Sequence, residues 1–303
     1  MIFSLDRFVE KFVDDLDVDK IPKEIDIIIG GGAFNASYGM GVLLYIKKLE
    51  KLKKIKVNRI SGTSAGAILG FAYIIDKLEL INDLSNELMR QFKQTYNFFH
   101  MREMIMNFEN YMNKNDYKLF NKKLYVTHYD NIKKKIIIKR KYNSNKDVLE
   151  QLVKTSFIPY LMNGDMSYND NIDAGFPYIF KNSKKNKIMY INLLSHNHIS
   201  EVISVKNETN GYMRLFSGVL DVNLFLTTQK STVLCSYLDK WTTLDFIAYR
   251  ITEYSWIVML IILDLMNKIT EKIPNEIKEY KYCVWIKHIT RDLFMDIIGR
   301  VMN

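Results

Sequence analysis

Residues 57–70 read Val57-Asn58-Arg59-Ile60-Ser61-Gly62-Thr63-Ser64-Ala65-Gly66-Ala67-Ile68-Leu69-Gly70. Val57 to Ile60 has the character of a short strand, and Ser61-Gly62 ends it. Ala65 to Ile75 is apolar and rich in small residues, the pattern of a buried helix. Between the two, Gly62-Thr63-Ser64-Ala65-Gly66 fits G-x-S-x-G, a serine set on a sharp strand-to-helix corner. The corner leaves no room for bulky neighbours, so Gly62 and Gly66 let strand and helix pass close together. The helix start then directs its N–H groups at the place where Ser64 would react. An ordinary N-cap serine is the competing reading. The strand before and the helix after favour a nucleophile.

Working outward, Ile25 to Ile29 is a nearly continuous apolar run that ends in Gly30-Gly31-Gly32-Ala33. Such a run suits a strand buried on both faces of a parallel sheet. Met40 to Leu52 has helical spacing, with lysines on its outer side. Strand, helix, strand, helix in this order predicts a parallel sheet covered on both faces. The glycine loop exposes backbone N–H groups that can hold a developing oxyanion. It fails as a dinucleotide loop: counting from Gly30 and Gly32, Asn35 stands where the third glycine belongs.

Upstream, Ile2, Leu5, Phe8, Val9, Phe12, Val13 and Leu16 predict an amphipathic helix within residues 1–24. Downstream, residues 78–123 read as mostly helical, Ile136 to Lys139 as a strand, and Asp147 to Thr155 as a helix that Ser144 or Asn145 can cap. Lys187 to Leu194 reads as a closing strand. The expected organisation is an α/β domain over 25–195 and a mainly helical region over 196–303. Asp173-Ala174-Gly175 follows Ile172, where an aspartate at a strand end could accept a proton. Taken alone, Asp-x-Gly is a common turn. Phe98, Phe99, Met101, Met104, Ile105 and Met106 are candidates for an acyl-chain groove, with plain core packing as the alternative.

The 303 residues are 48% hydrophobic and 25% charged, with a formal charge of +9. The lysine clusters at 47–56, 133–141 and 181–187 suit phosphate-bearing surfaces, with solvated lysine that has no specific partner as the favoured reading. Lysine without interleaved arginine and exposed aromatics argues against nucleic acid. Two cysteines, Cys235 and Cys283, cannot build a disulfide framework and read as buried thiols. Asp6, Glu10, Asp14, Asp15 and Asp17 oppose a secretory signal, which leads us to expect a cytoplasmic, non-secreted protein. The most apolar run, Trp256 to Leu263, is cut by Asp264 and preceded by Arg250 and Glu253. It falls short of the roughly 20 residues of a span, so a buried or interfacial helix and peripheral membrane contact are expected. The histidines and cysteines have no metal-ligand spacing, and neither metal nor cofactor is expected.

The glycine loop after the first strand, the serine elbow after the second, Thr155-Ser156-Phe157-Ile158-Pro159 and Asp173-Ala174-Gly175 together resemble the patatin-like phospholipase family, over about residues 25–195. The resemblance implies a parallel-sheet α/β core and hydrolysis of glycerolipid acyl esters at a membrane or droplet surface. It implies a serine–aspartate dyad without histidine. Ser64 would attack, Asp173 would carry the proton, and the N–H groups of Gly31, Gly32, Ala33 and Ala65 would hold the oxyanion. The family usually carries Arg or Lys in its glycine loop, whereas this chain has Phe34 and Asn35. Its last loop glycine is replaced by Asn35 or Ala36, and its Asp-Gly-Gly or Asp-Gly-Ala reads Asp-Ala-Gly. Two other readings stay open. One is an α/β-hydrolase triad of Ser64, Asp173 and His196, His198 or His288, opposed by the single strand that fits before Val57. The other is a catalytically weak lipid-binding protein on the same fold.

Overall fold

In the computed structural model, the described residues are 2–272 apart from 182–185, 196, 199–200, 203 and 206–207. Cys283, His196 and His288 therefore lie outside the described residues, while Cys235 is buried. The chain runs α1 (Ile2–Asp14), β1 (Glu24–Ile29), α2 (Ala36–Lys51), β2 (Lys56–Gly62), α3 (Ala65–Ile74), α4 (Glu79–Thr95), α5 (Met101–Met106), α6 (Tyr117–Phe120), β3 (Leu124–Asp130), β4 (Lys135–Lys139), α7 (Asn145–Thr155), β5 (Asn171–Asp173), β6 (Lys187–Ile191), α8 (Tyr212–Thr228), β7 (Cys235–Tyr237) and α9 (Thr243–Lys272).

Seven strands form one sheet in the order β4-β3-β2-β1-β6-β7, with β5 pairing β3. The central strands β3, β2, β1 and β6 are parallel. The short strands β4, β5 and β7 are antiparallel. The sequence explains the split: Ile25, Ile27, Ile28 and Ile29 are all at or below 1% exposure, as a strand covered on both faces requires. One face packs on α1, α2, α3, α7 and α8 through a large apolar core. The other is covered by Tyr178 to Phe180 and by α9, through Ile28, Tyr125, Tyr190, Tyr129, Ile172 and Leu260. The expected mainly parallel α/β architecture with helices on both faces is the one observed. The sheet also continues past residue 195, because β7 joins β6 at the edge and α8 packs on α2.

The expectation that no segment reaches membrane-span length needs correcting. Thr243–Ile269 forms part of one helix that is long and apolar enough to cross a membrane by length and composition. Glu253 and Asp264 interrupt the sequence run, but both are turned inward against the domain, 8% and 5% exposed.

The strand register sets the position of the serine corner. Gly62, the last residue of β2, lies opposite Val126 of β3. Asp173, the last residue of β5, lies opposite His128. Residue 126 pairs with β4 on the other edge, so β2 and β5 share one edge of β3 and run head-on toward each other. Their ends are two β3 residues apart, about 7 Å along the strand.

Candidate active site

Ser64 sits where that head-on approach closes. Its φ is 50° and its ψ −130°, a conformation sparsely populated by side-chain-bearing residues. It forms the N-cap of α3 without a capping bond from its own side chain, so the hydroxyl is available for other work. The glycines on either side account for the corner. A Cβ on Gly62 would meet the Gly66 carbonyl at 2.5 Å, and one on Gly66 would meet the Ile29 oxygen at 2.4 Å. Strand β1, the elbow and α3 are thus in backbone contact at this point.

Two threonines hold the elbow. Ser64 N–H donates to Thr155 Oγ1 at 2.9 Å, and Thr155 donates in turn to the Thr127 carbonyl. Thr63 Oγ1 donates to Asp173 Oδ1 at 3.2 Å. Gly175 N–H donates to the same oxygen at 2.8 Å, which fixes the carboxylate within its Asp-Ala-Gly turn. Gly175 has a φ of 72° and lies against the Trp256 ring of α9, and Trp256 Nε1 donates to the Asp173 carbonyl at 3.4 Å. Asp173 is 6% exposed. Burial pushes its carboxyl group up to about 6, against the opposing pull of hydrogen bonds from Ser64, Gly175 and Thr63. The structure therefore brings Ser64 and Asp173 together.

The glycine loop faces the same corner. A Cβ on Gly31 would stand 3.3 Å from the Ser64 Cβ and 3.7 Å from the Gly175 oxygen. Among the described residues, the N–H groups of Gly31, Gly32, Ala33 and Ala65 donate to no acceptor, although Gly31, Gly32 and Ala65 are buried. Buried orphan N–H groups are rare, and a loop and helix start that carry them beside a serine are candidates for holding negative charge. Beside them lies an apolar cleft that opens to solvent. Its walls include Ala33, Phe34, Ser64, Ala65, Ile68, Leu84, Leu88, Phe98, Met101 and Ile158. Ser156 also lines it, with a buried hydroxyl that has no partner.

Of the expected groove residues, Phe98 and Met101 line this cleft. Ile105 is fully buried core, Met104 and Met106 pack against that core, and Phe99 is exposed. A helical turn faces only one way, so a cluster contiguous in sequence splits between groove and core. Among the histidines proposed for a triad, His198 is engaged elsewhere: its Nδ1 lies 2.9 Å from Glu201 Oε2 and its ring lies 4.3 Å from that of Tyr38, tilted by 33°.

Three features escaped the sequence reading. His128, opposite Asp173 in the ladder, is buried with Nδ1 unpartnered and makes no hydrogen bond to that residue. Desolvation holds its ring down at about 4. Thr155 belongs to a quoted motif, but nothing in the motif assigns it to the Ser64 amide. The third is Arg214 of α8, 3% exposed, whose Nη1 donates to Asn35 Oδ1 at 2.6 Å and to the Glu201 carbonyl at 2.6 Å. It also donates to the Ser204 carbonyl and the Glu208 carboxylate. Asn35, fully buried, donates to the Leu193 and His198 carbonyls. The basic group that the glycine loop lacks in sequence thus stands behind it in space, carried by a distant helix.

A family model for patatin-like phospholipase matches residues 27–181, just over half of the chain. No curated protein matches it. The matched span holds the glycine loop, the elbow, Thr155 and Asp173, and omits Arg214 and α9. With this match and a mainly parallel α/β sheet, the chain belongs to the patatin-like phospholipase family.

Proposed function

We propose that the protein hydrolyses fatty acyl esters of phospholipid or acylglycerol through an acyl-enzyme on Ser64, with Asp173 as the base. The family implies a lipid substrate and lipid acyl hydrolase activity in general. The finer reading rests on one observation: a strained, buried Ser64 beside a buried carboxylate, ringed by orphan N–H groups at the mouth of an apolar cleft.

In this reading the acyl chain lies in the cleft along Ile68, Leu84 and Phe98. Asp173 accepts the Ser64 proton as Oγ attacks the ester carbonyl. The carbonyl oxygen takes up charge toward the N–H groups of Gly31, Gly32, Ala33 and Ala65. Asp173 returns the proton to the leaving alcohol. It then deprotonates the water that releases the fatty acid. A carboxyl group raised to about 6 is a better base than an ordinary aspartate and is still ionised at neutral pH. No metal or cofactor is required by these steps.

The test is labelling with a fluorophosphonate serine probe, followed by lipid profiling. Wild type should label and Ser64→Ala should not. Unlabelled wild type, or equal labelling of both, would instead favour a lipid-binding protein that does no chemistry.

A further inference from the structure

Helix α9 is apolar on two sides: Leu260, with Trp256, Ile257 and Leu263, packs on the sheet, and a second apolar stripe faces out. A helix on a water-soluble domain turns its apolar stripe inward and its charges outward. Here the inward face holds Glu253, paired with Arg250, and Asp264, which accepts from Asn131, Lys134 and Lys268. The outward face carries Ile247, Ile251, Val258, Ile262, Leu265 and Ile269, between 48% and 60% exposed. Their spacings of three, four and seven residues place them on one stripe. From Ile247 to Ile269 that stripe is about 33 Å long at about 1.5 Å per residue.

A second element continues the surface. The β3–β4 turn docks on α9 through Asn131 and Lys134, both bonded to Asp264, and presents Ile132 at 72% exposure. Among the described residues, Lys133, Lys134, Lys135 and Lys268 gather at this end, paired in part with Asp130 and Asp264, and Asp170 neighbours Asn131. The patch is apolar along its length and net positive at one end.

We propose that the outer face of α9, together with Ile132, seats the protein on an anionic lipid bilayer, with the helix lying in the interface. The proposal rests on the lipid-hydrolase reading for its biological sense and on the geometry for its location. Two observations select lying over crossing. The helix is tied to the domain along its length, through Tyr249 to the Pro177 carbonyl, Trp256 to Asp173 and Asp264 to Lys134. A crossing would also carry Glu253 and Asp264 into hydrocarbon. The apolar face with flanking lysines matches the chemistry of an interfacial helix on an acidic surface. Because Trp256 stands on both the helix and the Asp173–Gly175 turn, the seat lies one side chain from the reactive carboxylate.

The test is co-sedimentation of the full chain with phosphatidylcholine vesicles and with phosphatidylcholine–phosphatidylserine vesicles. Wild type is compared with Ile251→Asn/Val258→Asn/Ile262→Asn and with Lys133→Glu/Lys135→Glu. Wild type should bind, more tightly to the anionic vesicles. The asparagine variant should lose about tenfold or more on both, and the glutamate variant on the anionic vesicles only. The second variant decides the matter if the first does not fold. Hydrolysis of water-soluble p-nitrophenyl butyrate should be unchanged in both. Vesicle binding equal to wild type in the variants would overturn the proposal. So would a wild-type dimer in sedimentation velocity that the asparagine variant makes monomeric without changing vesicle binding, since a second copy would then cover the face. Vesicle binding without any ester turnover would defeat the hydrolase reading and leave the surface standing.

Discussion

Thr155 accepts the backbone N–H of Ser64 at 2.9 Å and hands its own proton to the Thr127 carbonyl. One hydroxyl thereby ties the elbow, the end of α7 and strand β3 together, with the residue fully buried. Thr155→Val keeps the shape and leaves both partners unpaired, at about 1–3 kcal/mol for each buried orphan. Thermal melting should show the loss, and fluorophosphonate labelling of Ser64 should slow. Thr155→Ser should restore both. If the valine variant melts and labels as wild type, this hydroxyl does not set the elbow.

The Asp173 carboxyl group ties activity and stability to pH in opposite directions. Its value rises from the ordinary 3.8 to about 6 in the fold. The base must be ionised, so kcat/KM should climb as pH rises through about 6 and then level off. For stability, an acid with a raised folded value is held protonated in the native state while the unfolded chain has already ionised. The cost grows from about pH 4 to 6 and is fully present above, on the order of 3 kcal/mol for a rise of this size. Asp173→Asn should therefore abolish turnover yet raise Tm at pH 8, with the gain vanishing near pH 4. A variant that melts lower than wild type at pH 8 would contradict the assigned burial cost.

Two glycines beside Ser64, Gly66 and Gly31, should separate folding from chemistry. Gly66→Ala drives a Cβ to 2.4 Å and 2.5 Å from the carbonyl oxygens of Ile29 and Gly30, backbone atoms that cannot step aside. We expect destabilisation of about 3 kcal/mol or more and little soluble protein. Gly31→Ala meets Ser64 Cβ at 3.3 Å, a distance a small shift relieves. That variant should fold and melt near wild type while losing about 100-fold in kcat, the usual effect of misplacing one oxyanion donor. Wild-type turnover in Gly31→Ala would remove the glycine loop from the mechanism.

Much of this was legible in residues 25–75, because each signal there is local. A nearly continuous apolar run, three glycines and a serine between two more glycines specify strand, loop and corner without help from elsewhere. The Asp173 turn was legible only alongside those pieces. Strand β3 went unread, since Thr127, His128 and Tyr129 dilute its apolar pattern even though Val126 and Tyr129 are fully buried. Its loss also hid the shared edge that brings β2 and β5 end to end. The apolar stripe of α9 was broken in the sequence by Glu253 and Asp264, charges that three-dimensional packing turns to one side. No local pattern could assign Thr155 to Ser64 or Arg214 to Asn35, contacts between residues 91 and 179 positions apart.

His128 offers the sharpest discrimination between dyad and triad among the described residues. It faces Asp173 across the ladder, yet no hydrogen bond joins them, and burial holds the ring at about 4, hence neutral. His128→Gln should change kcat by no more than about threefold, well short of the 100-fold or more of a lost general base. Because the folded value lies below the unfolded 6.5, this ring should also cost wild type stability as pH falls from 6.5 toward 4, at up to about 1.4 kcal/mol per pH unit. The glutamine variant should show a shallower acid limb in its Tm profile. A collapse of turnover with an unchanged melting profile would instead make His128 a member of the proton relay.

Arg214 supplies by packing what the glycine loop lacks in sequence. Its guanidinium reaches Asn35, two backbone carbonyls and the Glu208 carboxylate at once. Asn35 in turn holds the Leu193 and His198 carbonyls over the loop. A fork with fixed donor directions is needed to meet those acceptors, which a single ammonium cannot do. Arg214→Lys should therefore behave much like Arg214→Met, with both melting below wild type by about 2 kcal/mol, a figure reduced because Glu208 is 32% exposed and can turn to water. If the loop N–H groups hold the oxyanion as proposed, both variants should also lower kcat while leaving KM for a short-chain ester nearly unchanged. A purely structural arginine would lower the amount of folded enzyme and leave kcat per labelled Ser64 intact. Active-site titration with the fluorophosphonate probe, followed by turnover per titrated site, decides between the two.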